Sequence, residues 1–213
     1  IRKFIAYLLS CNTAELLLIF LALLPSLPVP LSPIQILWLN LVTDTPPALA
    51  LGADPAQPAV MRRKPRPPTE SLFSGGLAYR VILEGLVMAV LTISLFVAEL
   101  YWKDSGLAKA RTMVFAALAM LQLVHAFNCQ SEKFSLFRMA TYFNRHLVMA
   151  FALSVSLLLL GIYTPFCQRL FHHVPLNIAD WLAIAGVSGV LVFFVEMAKR
   201  GFAQQSQANI RRV

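Results

Sequence analysis

Long apolar runs alternate along this chain with short polar interruptions. Six runs of about 20 residues, each with few charges, lie at 4–25, 34–52, 77–101, 109–128, 146–165 and 180–199. That is the length an α-helix needs to cross about 30 Å of hydrocarbon. Backbone N–H and C=O groups find no water in lipid, so a spanning segment must satisfy them internally, as a helix does. The pattern predicts an all-α integral membrane bundle of six transmembrane helices. Short links at 26–33, 102–108 and 166–179 alternate with longer polar ones at 53–76 and 129–145. Residues 1–52 form a first helical hairpin, 53–76 a Pro/Arg-rich loop, 77–200 four further helices and 201–213 a tail.

Composition agrees with a membrane class. Apolar residues make up 58% of the 213 and charged ones 13%, and mean hydropathy is +0.69, outside the range of an ordinary soluble domain. The formal charge of +8 does not point to nucleic acid, because the basic residues lie between apolar runs and form no aromatic-studded patch. Cys11, Cys129 and Cys167 have neither disulfide nor zinc spacing. The chain opens at Ile1 with Arg2-Lys3 and runs straight into an apolar stretch, without an initiator Met or a signal-peptide cleavage site, which reads as a fragment.

Six spans put both ends on one side. That side carries fourteen of the eighteen basic residues: Arg2, Lys3, Arg62, Arg63, Lys64, Arg66, Arg80, Lys133, Arg138, Arg145, Lys199, Arg200, Arg211 and Arg212. The other carries Lys103, Lys109, Arg111 and Arg169. The excess places both termini in the cytoplasm. The run Arg62-Arg63-Lys64-Pro65-Arg66 is explained by this orientation signal alone, with specific lipid or partner binding as the alternative. Prolines from Pro55 to Pro68 are expected to hold that loop extended.

An ionisable group at bilayer depth costs about 3 kcal/mol on insertion scales, so each one is a candidate for function. Asn12 and Glu15 sit three residues apart in the first run. Asn40, Thr43 and Asp44 share a face of the second by their i, i+3, i+4 spacing, and Thr45-Pro46-Pro47 follows at once. Proline has no N–H, so Pro46 and Pro47 release the carbonyls of Val42 and Thr43 and predict a break at the Pro-Pro site. Broken helices in transporters use such carbonyls, with carboxylates and amides, to hold a cation at the midplane. These hard oxygen donors suit Ca2+ or an alkali ion. The alternative is hydrogen bonding between helices, and a lone Gln122, one turn before His125, more often serves that purpose. Arg80 and Glu84 form an i, i+4 pair, read as structural. Glu99 and Glu196 lie near helix ends, within reach of water, and His146, His172 and His173 are interfacial by position.

At these residues the chain resembles the P-type ATPases, in the branch that contains the sarcoplasmic-reticulum and bacterial Ca2+ pumps. The resemblance is carried by SCNTAE at 10–15, PIQILWLNLVTD at 33–44, ALALGADPAQPAVMRRKPRPPTESLFSGG at 48–76, HAFNCQSEK at 125–133 and VFFVEMAKR at 192–200. These stand in the family's order across nearly the whole chain. The resemblance implies the last six of ten helices of such a pump, with the first four helices and the nucleotide, phosphorylation and actuator domains upstream. ATP and Mg2+ belong to those other domains, and Ca2+ is the implied transported ion. By matching position, Asn12 and Glu15 correspond to ligands on the family's fifth helix, and Asn40, Thr43 and Asp44 to ligands on its sixth. Asp44 corresponds to the ligand that bridges two ions. Gln122 stands where the reticulum pump has a Glu ligand, one negative charge fewer, and Thr45-Pro46 replaces Gly-Leu.

The chain has no DKTG phosphorylation motif and no Gly-rich phosphate loop, so by itself it is not expected to hydrolyse ATP. Two other readings stand beside the Ca2+ pump. One keeps the pump and changes the ion to Mn2+, Na+/K+ or H+. The other is a secondary transporter or channel complete in six helices, which predicts a second broken helix in the other half. Helices 4, 5 and 6 have no counterpart to Asp44-Thr45-Pro46-Pro47.

Overall fold

A computed structural model describes residues 2–54, 76–130 and 144–210. Most of the 53–76 loop with its prolines and basic run, the greater part of the 129–145 link, and the last three residues of the tail lie outside the described residues. The described residues are helical throughout, apart from turns and short connections, with no strand among them.

The helices are α1 (Arg2–Leu23), α2 (Pro33–Trp38), α3 (Thr45–Gly52), α4 (Leu77–Val97), α5 (Leu107–Gln130), α6 (Arg145–Tyr163), α7 (Pro165–Phe171) and α8 (Ile178–Ile210). Among the described residues, two π-helical turns interrupt the pattern, Leu39–Thr43 between α2 and α3 and Ala98–Trp102 after α4. Each is closed by an i→i+5 bond, from Asp44 N–H to Leu39 O at 2.9 Å and from Lys103 N–H to Ala98 O at 3.1 Å. Among the described residues, five stretches are long and apolar enough to cross a membrane: Arg2–Leu23, Leu77–Trp102, Leu107–Gln130, Arg145–Tyr163 and Ile178–Lys199. Residues 33–52, expected as one run, are divided among α2, the π turn and α3. The link at 166–179 carries α7, begun by Pro165 in its first turn, where a missing N–H costs nothing. Helix α8 continues through 201–210, placed in the tail by sequence, because no proline stops it.

Helix α5 is the shaft of the bundle. An unbroken stretch from Thr112 to Ala119 is fully buried, and Ala116, Ala117 and Ala119 let neighbouring backbones approach closely. Around it Leu18 of α1, Met88 and Phe96 of α4, Leu158 of α6 and Leu191 of α8 complete one core cluster. Helix α1 lies along α4 with Gly85 at the contact: a Cβ there would fall 2.8 Å from Thr13 Cγ2 and 3.1 Å from the Ser10 carbonyl oxygen.

Side chains clamp the two ends. At one, Lys3 pairs with Asp54, Asn144 donates to Asp54 Oδ1 at 2.8 Å, and Lys199 donates to the Asn128 carbonyl at 3.0 Å. At the other, Glu99 and Asp180, both 1% exposed, share Lys103 and Lys109. Glu99 therefore does not reach water as its position near a helix end suggested; the π turn at 98–102 directs it inward onto lysines. Glu196 is likewise buried, 3.9 Å from Lys199.

His173 also departs from its interfacial assignment. It is buried between Phe115 and Phe171, with Nδ1 2.8 Å from the Gly161 carbonyl and Nε2 2.8 Å from Gln35 Nε2. The carbonyl can only accept, so Nδ1 carries the proton and Nε2 accepts from Gln35. Gln35 Oε1 in turn accepts from the Ser32 N–H at 2.8 Å, which ties the start of α2 to the α6–α7 hairpin.

Two outcomes are expected. Burial, outweighing the Gly161 bond and aided by His172, holds the His173 pKa below its ordinary value. The unfolded chain then takes up a proton that the fold refuses, so stability is full above about pH 6.5 and is lost as pH falls toward the depressed folded pKa. Thermal unfolding of the solubilised protein should show this slope, and His173→Gln should flatten it. Second, Gly85→Ala should destabilise the α1–α4 pair by about 1–3 kcal/mol through overpacking. An unchanged melting temperature would show that Thr13 gives way without cost.

Candidate functional site

Glu15, midway along α1, turns inward at 6% exposed and is met from two sides. Asn40 Nδ2 donates to its Oε2 at 2.6 Å, and Gln122 Nε2 of α5 donates to its Oε1 at 3.0 Å. The two amides come from different elements, one from the π turn and one from the shaft. Together they satisfy a carboxylate that burial alone would disfavour.

Asp44 follows the π turn and is fully buried. Its Oδ1 accepts from the Tyr7 hydroxyl of α1 at 3.2 Å, while Oδ2 accepts no hydrogen bond among the described residues. Glu15 lies close enough for the two carboxylates to interact electrostatically. The Gln122 carbonyl oxygen is likewise buried without a donor.

The backbone around Asp44 follows from its sequence. Pro46 and Pro47 occupy the first turn of α3, where helix geometry asks for no N–H, so α3 begins at Thr45 without strain. The missing Pro47 donor leaves the Thr43 carbonyl available, and the Ser154 hydroxyl of α6 donates to it at 2.7 Å. Thr45 Oγ1 donates to the Asn40 carbonyl at 3.1 Å, and Thr43 Oγ1 donates to the Leu39 carbonyl at 2.7 Å. The Thr43 hydroxyl is thus turned back onto its own helix.

Of the residues singled out by sequence, Glu15, Asn40 and Gln122 form one hydrogen-bonded group, with Asp44 and Thr43 buried beside it. Asn12 stands apart. It lies on the exposed face of α1, a stripe continued by Leu16 and Phe20. Sequence reasoning missed Tyr7 and Ser154. Tyr7 was detectable, since Tyr7, Cys11 and Glu15 recur every four residues on one stripe of α1. Ser154, a single hydroxyl among leucines and valines, carried no signal.

The architecture of acids and amides on apolar helices has relatives. A family described as "Cation transporting ATPase, C-terminus" matches residues 28–201. The chain belongs to this family. It is 43% identical over 195 residues to a calcium-transporting ATPase of Bacillus subtilis, covering 92% of this chain and 22% of the relative. Calcium-transporting ATPase 1 of Bacillus cereus is 38% identical over 218 residues, covering 94% of this chain and 24% of the relative. Calcium-transporting ATPase 1 of Yarrowia lipolytica is 30% identical over 211 residues, covering 98% and 22%. The chain thus spans between a fifth and a quarter of the length of these relatives, and matches the C-terminal part of such an ATPase.

Ser154→Ala should leave the buried Thr43 carbonyl without its donor and cost about 1–3 kcal/mol. Thermal unfolding measures the loss, and Ser154→Thr, which keeps the hydroxyl, should recover most of it.

Proposed function

We propose that this chain is the cation-binding C-terminal half of the transmembrane domain of an ATP-driven Ca2+ pump, exporting Ca2+ from the cytoplasm with Glu15 and Asp44 as its charged ligands. The observation that carries the reading is the convergence on Glu15 of amides from two other elements, beside a second buried carboxylate. A divalent ion entering an apolar interior needs compensating negative charge, and these two acids supply two units of it at mid-depth. Ca2+ takes six to eight oxygen ligands at about 2.3–2.6 Å. Glu15, Asp44, Asn40, Gln122 and the Thr43 region offer several, and Asn12 on the exposed stripe of α1 faces where the pump's first four helices would pack. The NH2 groups of Asn40 and Gln122 now face Glu15. Binding of a cation there turns each amide so that oxygen meets the ion, which exchanges one set of charge-dipole contacts for another.

In this reading residues 33–52 are a sixth span, broken around the π turn and the Pro-Pro pair. Its irregular backbone faces protein and the ion path, as membrane-depth irregularity must. Both termini lie in the cytoplasm and the exposed apolar stripes face lipid or the pump's other helices. Phosphorylation by ATP with Mg2+ takes place in the other domains.

The test uses the full-length pump. Asp44→Asn keeps the shape and removes half of the compensating charge, so Ca2+-dependent phosphoenzyme formation from ATP should be abolished. Gln122→Ala removes a dipole and should shift the Ca2+ titration without abolishing the response. Retention of Ca2+ dependence in Asp44→Asn together with its loss in Gln122→Ala would contradict the assignment. Replacing Ca2+ with Mn2+, Na+ or K+ in the same assay tests the ion.

A further inference from the structure

A second group of donors, chemically unlike the first, lies nearer the end of the bundle clamped by Lys3, Asp54 and Lys199. Glu84, two turns into α4, meets His125 and Cys129, which share a face of α5 by their i, i+4 spacing. All three are buried, at 2%, 0% and 2% exposed, and one donor atom from each lies within 4.8 Å of the other two. His125 Nε2 stands 3.5 Å from Glu84 Oε2 and 3.2 Å from Cys129 Sγ. The polar contacts of the imidazole are all on this side, for Nδ1 has no hydrogen-bond partner among the described residues.

We propose that Glu84, His125 and Cys129 form a Zn2+ site, separate from the oxygen-lined group around Glu15. The two separations from His125, 3.5 Å to Glu84 and 3.2 Å to Cys129, are those such an ion requires. Tetrahedral zinc bound at about 2.0–2.3 Å holds neighbouring ligand atoms about 3.4 Å apart. Thiolate, imidazole and carboxylate together select a borderline-soft ion, whereas Ca2+ is left to all-oxygen ligands. Arg80 Nε donates to Glu84 Oε1 at 2.7 Å, which fixes the carboxylate and leaves Oε2 directed at His125, the role outer partners of metal ligands commonly play. The Glu84 carboxylate, shared with Arg80, and a Cys129 thiolate supply the negative charge that faces the ion, and the thiol proton is released to solvent on binding. Three protein ligands leave a fourth position for water.

The site is also joined to the first. Tyr7 stacks on the His125 ring, with centroids 6.4 Å apart and planes at 26°, and the same tyrosine donates to Asp44.

Co2+ serves as the optical stand-in for Zn2+. The full-length protein, purified in detergent and stripped with chelator, is titrated with Co2+. A thiolate-to-Co2+ charge-transfer band should grow to about one equivalent and be displaced by Zn2+. Cys129→Ser should remove the band and Cys11→Ser should retain it. Glu84→Gln and His125→Ala should each weaken binding by at least about tenfold. The absence of any thiolate band in the wild-type protein overturns the site without recourse to variants. So does a band that survives Cys129→Ser in protein with a normal melting profile, since the thiolate would then be another. Should Cys129→Ser not fold, the wild-type titration and Glu84→Gln decide: no loss of affinity in Glu84→Gln sinks the proposal.

Discussion

Two carboxylates inside an apolar bundle constrain most of what surrounds them. An isolated ion of that size carries a penalty of several kcal/mol in a low-dielectric interior, and a buried acid survives only with donors in place. Glu15 obtains two amides from different elements and Asp44 a phenol. For those donors to arrive, α1, the segment 33–44 and α5 must converge at one depth. Much of the remaining architecture holds that convergence.

The small residues of α5 bring the other helices close enough for short polar side chains to meet across them. Gly85 does the same for α1 and α4. The terminal clamps hold the bundle at both ends: Asp54 joins the starts of α1 and α6 to the end of α3, while Glu99 and Asp180 with their two lysines join α4, α5 and α8. Between the clamps, one set of polar contacts gathers on Glu15, Asp44 and the irregular backbone at 39–47, and a second on Glu84, His125 and Cys129.

Much of this was legible in sequence because lipid is a demanding solvent. A Glu, an Asp, two Asn and a Gln in apolar runs stand out, and four of those five lie in one buried region. Asn12 was grouped with Glu15 by a three-residue spacing, but that spacing turns the side chain about 60° around the helix, enough to reach the outer face. The π turns were invisible. Leu39–Thr43 and Ala98–Trp102 contain no Gly or Pro, and their extra residue depends on what packs against them rather than on local propensity. Glu99 was misplaced for that reason, since a regular helix end would have left it near water. The helix α7 was read as part of a link because seven residues with an arginine and two flanking histidines carry too short an apolar stripe to register.

The π turn at 39–43 also makes residue count a part of the site. Each added residue turns an α-helix by about 100°, so a segment that accommodates one residue more than its rise requires sets the phase of everything after it. Asp44 and the buried positions Ala48 and Leu51 owe their orientation to that surplus. Deletion of Leu41 or Val42 would preserve Asn40, Thr43, Asp44 and every other buried polar side chain of the group, and would yield a more regular helix. It would nonetheless swing Asp44 away from Tyr7 and turn α3 off α6. Sequence length across these five positions is therefore as constrained as the identity of the acids.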